Sequence, residues 1–219
     1  MSIGSWEVIV FDWDGTLVDS TRLIADAILQ AAADIEVPVR DPRLASHVIG
    51  LGLAEALALV VPELPRERIP AFAARYHAHF RQGEAQIRFF EGTVALLDVL
   101  RERGRQLAVA TGKTRAGLDR AIAAARLEGY FSSYRCADQT HAKPHPAMLL
   151  ELSEELQTEP AKMLMIGDTS HDLQMAAAAG VAAVGVSHGA HPREELERLK
   201  PLAVVDSTAQ LRHWLLARC

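Results

Sequence analysis

The chain has 219 residues, 49% of them hydrophobic and 23% charged, enough apolar material for a sizeable core and too much for a disordered chain. The formal net charge is −5 and lysine and arginine form no block, which argues against nucleic acid or an anionic membrane as partner. The two cysteines, Cys136 and Cys219, form no CxxC pair, no apolar run reaches membrane-span length, and no basic, apolar leader precedes the first strand. A disulfide framework, a thiolate zinc site and a membrane span are therefore not expected, and a cytoplasmic protein is.

The first element is the run Val8-Ile9-Val10-Phe11, which ends in Asp12-Trp13-Asp14-Gly15-Thr16-Leu17. A short, Val- and Ile-rich run bounded by glycine reads as a buried strand of a parallel sheet. Ser20 is placed to cap a helix over 21–34, with Leu23, Ala27, Ile28 and Ala31 on one face. Further helical pieces are expected over 44–48, 54–61 and 66–81, separated by Gly50-Leu51-Gly52 and by Pro62 and Pro65. Phe72, Tyr76 and Phe80 recur at i, i+4 and i+8, and Tyr76 and Phe80 read as packing residues. No strand is expected between about 20 and 86, so this block is a helical insertion, with hinges at 18–20 and 86–91.

An α/β alternation follows. The pattern predicts helices over 92–103 (Val94, Leu97, Val99 and Leu100 apolar), 114–126, 146–156, 171–179, 193–200 and 207–214. Strands are expected over 107–110, 134–136, 163–166, 181–186 and 202–205. Strands alternating with helices imply an α/β fold, a doubly wound parallel sheet covered on both faces. Five histidines between His141 and His191 read as loop and surface residues.

Polar groups recur where the apolar strands end: Asp12 and Asp14, then Thr111-Gly112, then Lys143, then Asp168 and Asp172. In a parallel sheet the strand ends lie together, so these residues converge on one crevice. Residues i and i+2 of an extended segment point the same way, so Asp12 and Asp14 share it, and two close acids call for a cation or a proton between them. The carboxylates suit Mg²⁺, while the hydroxyl, the lysine and the free amides suit the oxygens of a phosphoryl group. Phosphoryl transfer needs this combination of positioning and charge neutralisation. Aspartates after strands also cap helices, and Asp172 is well placed to do so.

Asp12-Trp13-Asp14-Gly15-Thr16 followed by Leu17-Val18-Asp19-Ser20, then Thr111, Lys143-Pro144, and Gly167-Asp168 with Asp172, resembles the haloacid dehalogenase superfamily, in its phosphoglycolate phosphatase and β-phosphoglucomutase branch. The resemblance covers essentially the whole chain. It implies a Rossmann-like core over 1–19 and 87–219 and an inserted all-helical cap over 20–86. It implies that Asp12 is the nucleophile, forming an aspartyl-phosphate, and that Asp14 is the acid and base. Asp12, the Asp14 carbonyl, Asp168 and, directly or through water, Asp172 would hold Mg²⁺. Trp13, Thr111, Gly112 and Lys143 would surround the phosphoryl group. Relatives commonly carry Asn where this chain has Gly112. Gly50-Leu51-Gly52 falls where related caps present a loop that helps select substrate.

The expected activity is Mg²⁺-dependent hydrolysis of a small phosphorylated metabolite, phosphoglycolate first among the candidates, by a monomer or homodimer. The alternative is a sugar-phosphate isomerase of the β-phosphoglucomutase kind, which shares the core motifs. Dehalogenases of this superfamily lack the acid at position 14, and phosphonatases recruit a cap lysine, whereas no lysine stands between Asp12 and Glu91. A signalling receiver would be about half this length, with its acid pair and phosphoacceptor on different strands.

Overall fold

A computed structural model describes residues 6–218; Cys219 lies outside the described residues. In chain order the elements are β1 (Val8–Phe11), β2 (Val18–Asp19), α1 (Thr21–Asp34), α2 (Leu44–His47), α3 (Leu53–Val60), α4 (Ile69–Glu84), β3 (Arg88–Phe89), α5 (Thr93–Glu102) and β4 (Gln106–Thr111). They continue with α6 (Arg115–Ala125), β5 (Ser133–Cys136), α7 (Ala147–Glu155), β6 (Met163–Gly167), α8 (Ser170–Ala179), β7 (Ala182–Val186), α9 (Arg193–Arg198), β8 (Ala203–Val205) and α10 (Thr208–Leu216). Among the described residues no helix is long and apolar enough to cross a membrane.

All four residues of β1 are fully buried, which requires cover on both faces of its sheet. The sheet order is β5-β4-β1-β6-β7-β8, and every neighbouring pair is parallel. Side chains alternate between two apolar layers. Ile9, Phe11, Val109 and Ile166 pack with Leu97 of α5, Leu118 of α6 and Leu211 of α10. Val8, Val10, Ala108 and Met165 pack with Met148 of α7 and Met175 of α8. With β1 between β4 and β6, the loops after these three strands open a crevice at the carboxyl edge, where such sheets bind ligands.

Helices α1 to α4 share a separate apolar cluster. Ala27, Ile28 and Ala31 of α1 meet Phe72 and Phe80 of α4, with Val48, Leu57 and Val60 completing it. Alanines on α1 let α4 approach closely, and Phe72, fully buried, fills the gap that remains. The chain enters and leaves this helical unit through β2 and β3, which pair antiparallel with Val18 opposite Phe89 and Asp19 opposite Arg88. A ribbon of two residues a side is too short to show periodicity, so the sequence pattern marked the segment as hinge only.

Local departures from the sequence pattern have physical causes. Ser20 precedes α1 but its hydroxyl caps nothing; it is turned into the crevice. On α5 the buried face runs through Thr93, Leu96, Leu97 and Leu100, spaced i, i+3, i+4 and i+7, and Val94 falls off that stripe and is 37% exposed. Thr114 and Ser207 do cap their helices, accepting from the N–H groups of Gly117 and Gln210.

Phe72→Ala empties the centre of the helical unit and is expected to cost about 3–5 kcal/mol. The measure is the urea midpoint by circular dichroism, which should fall with the slope unchanged.

Candidate active site

The Asp12 N–H still follows the ladder of β1, donating to the Ile166 carbonyl of β6 at 2.9 Å, so the side chain is delivered at the sheet's carboxyl edge. The chain then turns at Gly15, whose φ is +81°. A Cβ there would lie 2.1 Å from Asp168 Oδ2, so this position needs glycine for both backbone and space. Gly189, after β7, approaches the same oxygen equally closely, and the next residue, Ala190, donates its N–H to it at 2.7 Å. Thr16 donates its hydroxyl to the other oxygen at 2.8 Å. Asp168 is thus held from two loops.

Asp172 does two things at once. Its Oδ2 closes a capping box with Thr169 at the start of α8, accepting the Thr169 N–H at 3.1 Å and hydroxyl at 2.6 Å. Its Oδ1 lies 2.6 Å from Lys143 Nζ, which is 2.8 Å from Asp12 Oδ1. The angles at Lys143 fall outside hydrogen-bond geometry, so these contacts are ion pairs. Lys143 is 1% exposed, behind Asp12 rather than beside the open space.

Three buried carboxylates surround one ammonium. Burial pushes the Asp12 carboxyl well above its ordinary range; Lys143 opposes this, while Asp172 and Asp168 add to it. Burial and then Asp172 push Asp168 up to about 7, against the Ala190 N–H, Thr16 and Lys143. Burial disfavours the Lys143 charge, but Asp12 and Asp172 outweigh it, and the ammonium is held above its usual range. Asp12 Oδ2 is buried with no hydrogen-bond partner. Carboxylate oxygens of Asp12, Asp168 and Asp172 all lie within 4.8 Å of one another. An all-oxygen set with an orphaned acceptor and an excess of negative charge fits a hard divalent cation.

In front of Asp12 is a cavity of about 330 Å³, closed on the far side by the helical unit. Asp14, Thr111 and Gly112 line it from the core, and Gly50, Leu51 and Gly52 line it from the insertion. A Cβ on Gly112 would lie 2.4 Å from the Leu51 carbonyl oxygen and 2.7 Å from that of Gly50, so glycine here lets the insertion's loop seat against the end of β4. Trp13, Lys143, Asp168 and Asp172 do not line the cavity. The Trp13 ring is in the core, edge-on to Phe89 and Phe131, which leaves only its backbone for a ligand.

Asp14 is not free, as its expected proton-shuttling role suggested. Lys113 Nζ lies 3.0 Å from each of its oxygens, and Ser20 donates its hydroxyl to Oδ1 at 2.7 Å. Lys113 also stands over the Phe80 ring of α4, 4.7 Å from its centroid. Tyr76 and Phe80 therefore line the cavity as well as packing. Lys113 was missed by the sequence reasoning, although its place two residues after Thr111 was a usable signal.

The histidines also depart from expectation. His191 is 1% exposed, its ring stacked on His47 at 4.3 Å. His191 and His171 each donate Nε2–H to the His47 carbonyl, at 2.9 and 3.1 Å, so they join α2 to the core. His191 Nδ1 accepts the Ser170 N–H at 3.0 Å, which fixes the neutral tautomer; burial, foremost, holds both rings below the ordinary histidine value. His188 packs on Phe90 and donates to the Thr16 carbonyl. His141 and His145, four residues apart, are exposed in the loop around Lys143.

Fold and crevice together define an α/β protein with an acid pair at the end of its first strand and a helical insertion over it. The sequence model of the haloacid dehalogenase-like hydrolases matches residues 9–186, and the chain belongs to that family. It is 39% identical over 212 residues to "Probable phosphatase IndB" of Dickeya dadantii, covering 93% of this chain and 91% of that protein. It is 34% identical over 224 residues to a phosphoglycolate phosphatase of Rhodospirillum rubrum, covering 95% and 90%. A tyrosine-protein kinase, PtkA of Mycobacterium tuberculosis, is 34% identical over 185 residues, 84% of this chain and 62% of that one. A hydrolase structure from Pseudomonas syringae superposes with a TM-score of 0.88 at 23% identity, covering 96% and 98%, and shows the same fold.

Two outcomes follow from this geometry. Asp168 is raised on folding from about 3.9 to about 7, so the folded state binds the extra proton and loses stability as pH rises through that interval. A divalent cation replaces the proton, so its addition should raise Tm more at pH 8 than at pH 5; an equal shift at both would contradict the assignment. Gly112→Ala must displace the loop at Leu51 and should lower kcat/KM by about tenfold or more, with a lowered Tm and the circular dichroism spectrum of the folded chain retained.

Proposed function

We propose that this crevice hydrolyses a small phosphate monoester, with Mg²⁺ as its cation and an aspartyl-phosphate on Asp12 as the intermediate. The enzyme is a phosphoric monoester hydrolase. The observation that carries the reading is the Asp12–Asp14 pair at one end of the cavity, one acid with a buried, unpartnered oxygen and the other tied to Lys113 and Ser20. Relatives named as phosphatases support it.

In the first step an Asp12 carboxylate oxygen attacks phosphorus and the phosphorus–ester oxygen bond breaks. Asp14, entering as the acid, gives its proton to the leaving oxygen. In the second step water loses a proton to Asp14 and its oxygen attacks the same phosphorus. The bond to Asp12 breaks, releasing inorganic phosphate and regenerating both acids. The Lys113–Asp14 ion pair represents the carboxylate in the form that accepts a proton. Asp12, Asp168 and Asp172 would hold Mg²⁺, which when bound offsets the negative charge gathered around the phosphoryl group. Thr111 and the Gly112 amide would bind phosphoryl oxygens. Lys143 would act from behind, keeping Asp12 ionised.

The chain divides, in this reading, into a core over 1–19 and 87–219 and a cap over 20–86 that keeps bulk water and large substrates out of the crevice. The separate apolar cluster of α1 to α4 supports that division. A cytoplasmic location fits the free, buried Cys136. The Gly50–Gly52 loop presents backbone carbonyls at Gly112 and no cation to grip a second phosphate, so nothing in the site favours the mutase alternative.

Asp12→Asn should abolish phosphate release, by more than about a thousandfold, with the circular dichroism spectrum unchanged. Wild-type turnover in that variant would sink the nucleophile assignment. Chelation with EDTA should stop turnover and Mg²⁺ restore it.

A further inference from the structure

We infer that the substrate's organic part is uncharged and largely apolar, so that the enzyme prefers monoesters of neutral alcohols such as arylmethanols to phosphoglycolate, bisphosphates or pyrophosphate. This rests on the hydrolase reading of the same site and concerns the other end of the cavity.

The wall away from Asp12 is built by the insertion. Ile24 and Ile28 of α1, Val48, Leu51, and Tyr76 and Phe80 of α4 supply it. The last two rings are stacked at 6.1 Å with 29° between their planes and supply the aromatic part of this wall. A second anionic group would need a free cation beyond the phosphoryl subsite, since burying an unpaired carboxylate is costly. The insertion offers none: it contains no lysine, and none of its arginines lines the cavity. The acids it does place there, Glu55 and Glu84, would repel an anion.

Two cations reach the cavity from the core, and both are engaged. Lys113 Nζ sits 3.0 Å from both Asp14 oxygens and over the Phe80 ring, so it serves the acid pair at the phosphoryl end and not the far wall. Arg120 is at the margin, with Nη1 on the Ala116 carbonyl and Nη2 3.9 Å from Glu84. His77 is held below its ordinary value by burial and by Arg81, Arg120 and Lys113, so it is not a substitute. The Tyr76 hydroxyl has no hydrogen-bond partner among the described residues and is a neutral handle for one polar group. A polyol would require several.

Size points the same way. A cavity of about 330 Å³ is at the small end of the range for ligand pockets, room for a phosphoryl group and a small organic part.

The test measures phosphate release with Mg²⁺ from benzyl phosphate, phosphoglycolate and glycerol 1-phosphate, alkyl esters whose leaving alcohols are of comparable acidity. Benzyl phosphate should have the highest kcat/KM, by at least about tenfold. Tyr76→Ala should cut its value about tenfold while changing that for phosphoglycolate less than about threefold, and Tyr76→Phe should keep the preference. Leu51→Arg, which adds a cation at the lip and leaves the rings in place, should move the ratio toward phosphoglycolate by about tenfold. Phosphoglycolate equal to or better than benzyl phosphate in the wild type overturns the inference and leaves the hydrolase reading standing. So does a Tyr76→Ala variant that loses both substrates equally. Release from none of the three while p-nitrophenyl phosphate is hydrolysed overturns this inference alone; release from none of the four counts against the proposed reaction at this site as well.

Discussion

One buried ammonium among three buried carboxylates sets the terms for the rest of the molecule. With all four groups charged, Lys143 leaves two of the negative charges on Asp12, Asp168 and Asp172 uncompensated. Removing an ion from water costs several kcal/mol even after the protein relaxes, so such a cluster persists only where the surrounding chain leaves it no alternative. The chain does so with backbone. Gly15 and Gly189 crowd Asp168, Gly167 crowds Asp172 with a would-be Cβ at 2.3 Å, and Thr169 locks Asp172 into the first turn of α8. Such over-determination keeps the cluster in place while the Asp12 Oδ2 beside it has no hydrogen-bond partner.

The insertion meets this cluster through main-chain groups more than through charge. The carbonyls of Gly50 and Leu51 rest against Gly112, and the His47 carbonyl takes two imidazole N–H groups. These contacts depend on close approach and vanish with an ångström of separation. Lys113 adds a link between the two halves, touching Asp14 on one side and the Phe80 ring on the other. The insertion and the acid pair are therefore joined at one side chain.

Long, strongly patterned features were legible in the sequence. The α/β alternation, the helical block and the gathering of strand-end polar groups all followed from periodicity and from the geometry of a parallel sheet. Asp12, Asp168, Asp172 and Lys143 assemble because each follows a strand next to β1 or close to it. What was not legible depends on distance in the chain. Gly189 and Ala190 support Asp168 from a loop 21 and 22 residues further on, with no local pattern to announce it. His191 looked like a loop histidine until α2 was seen to pack on it. Ser20 was judged by its position before a helix, where a cap is the ordinary expectation, whereas Asp14 competes for the same hydroxyl. Trp13, between two crevice acids, faces the opposite way because neighbours in an extended segment must.

The ribbon of β2 and β3 has one more consequence. Asp19 and Arg88 face each other across an antiparallel pair, so the 68 residues between them leave and return at the same point. A two-residue turn would join those ends without altering the register. Topologically the helical unit occupies the place of a hairpin loop, and its length is invisible to the parallel sheet beneath. Insertions, deletions or wholesale exchange at this position would change what reaches Asp12 while leaving the scaffold that holds Asp12 as it is.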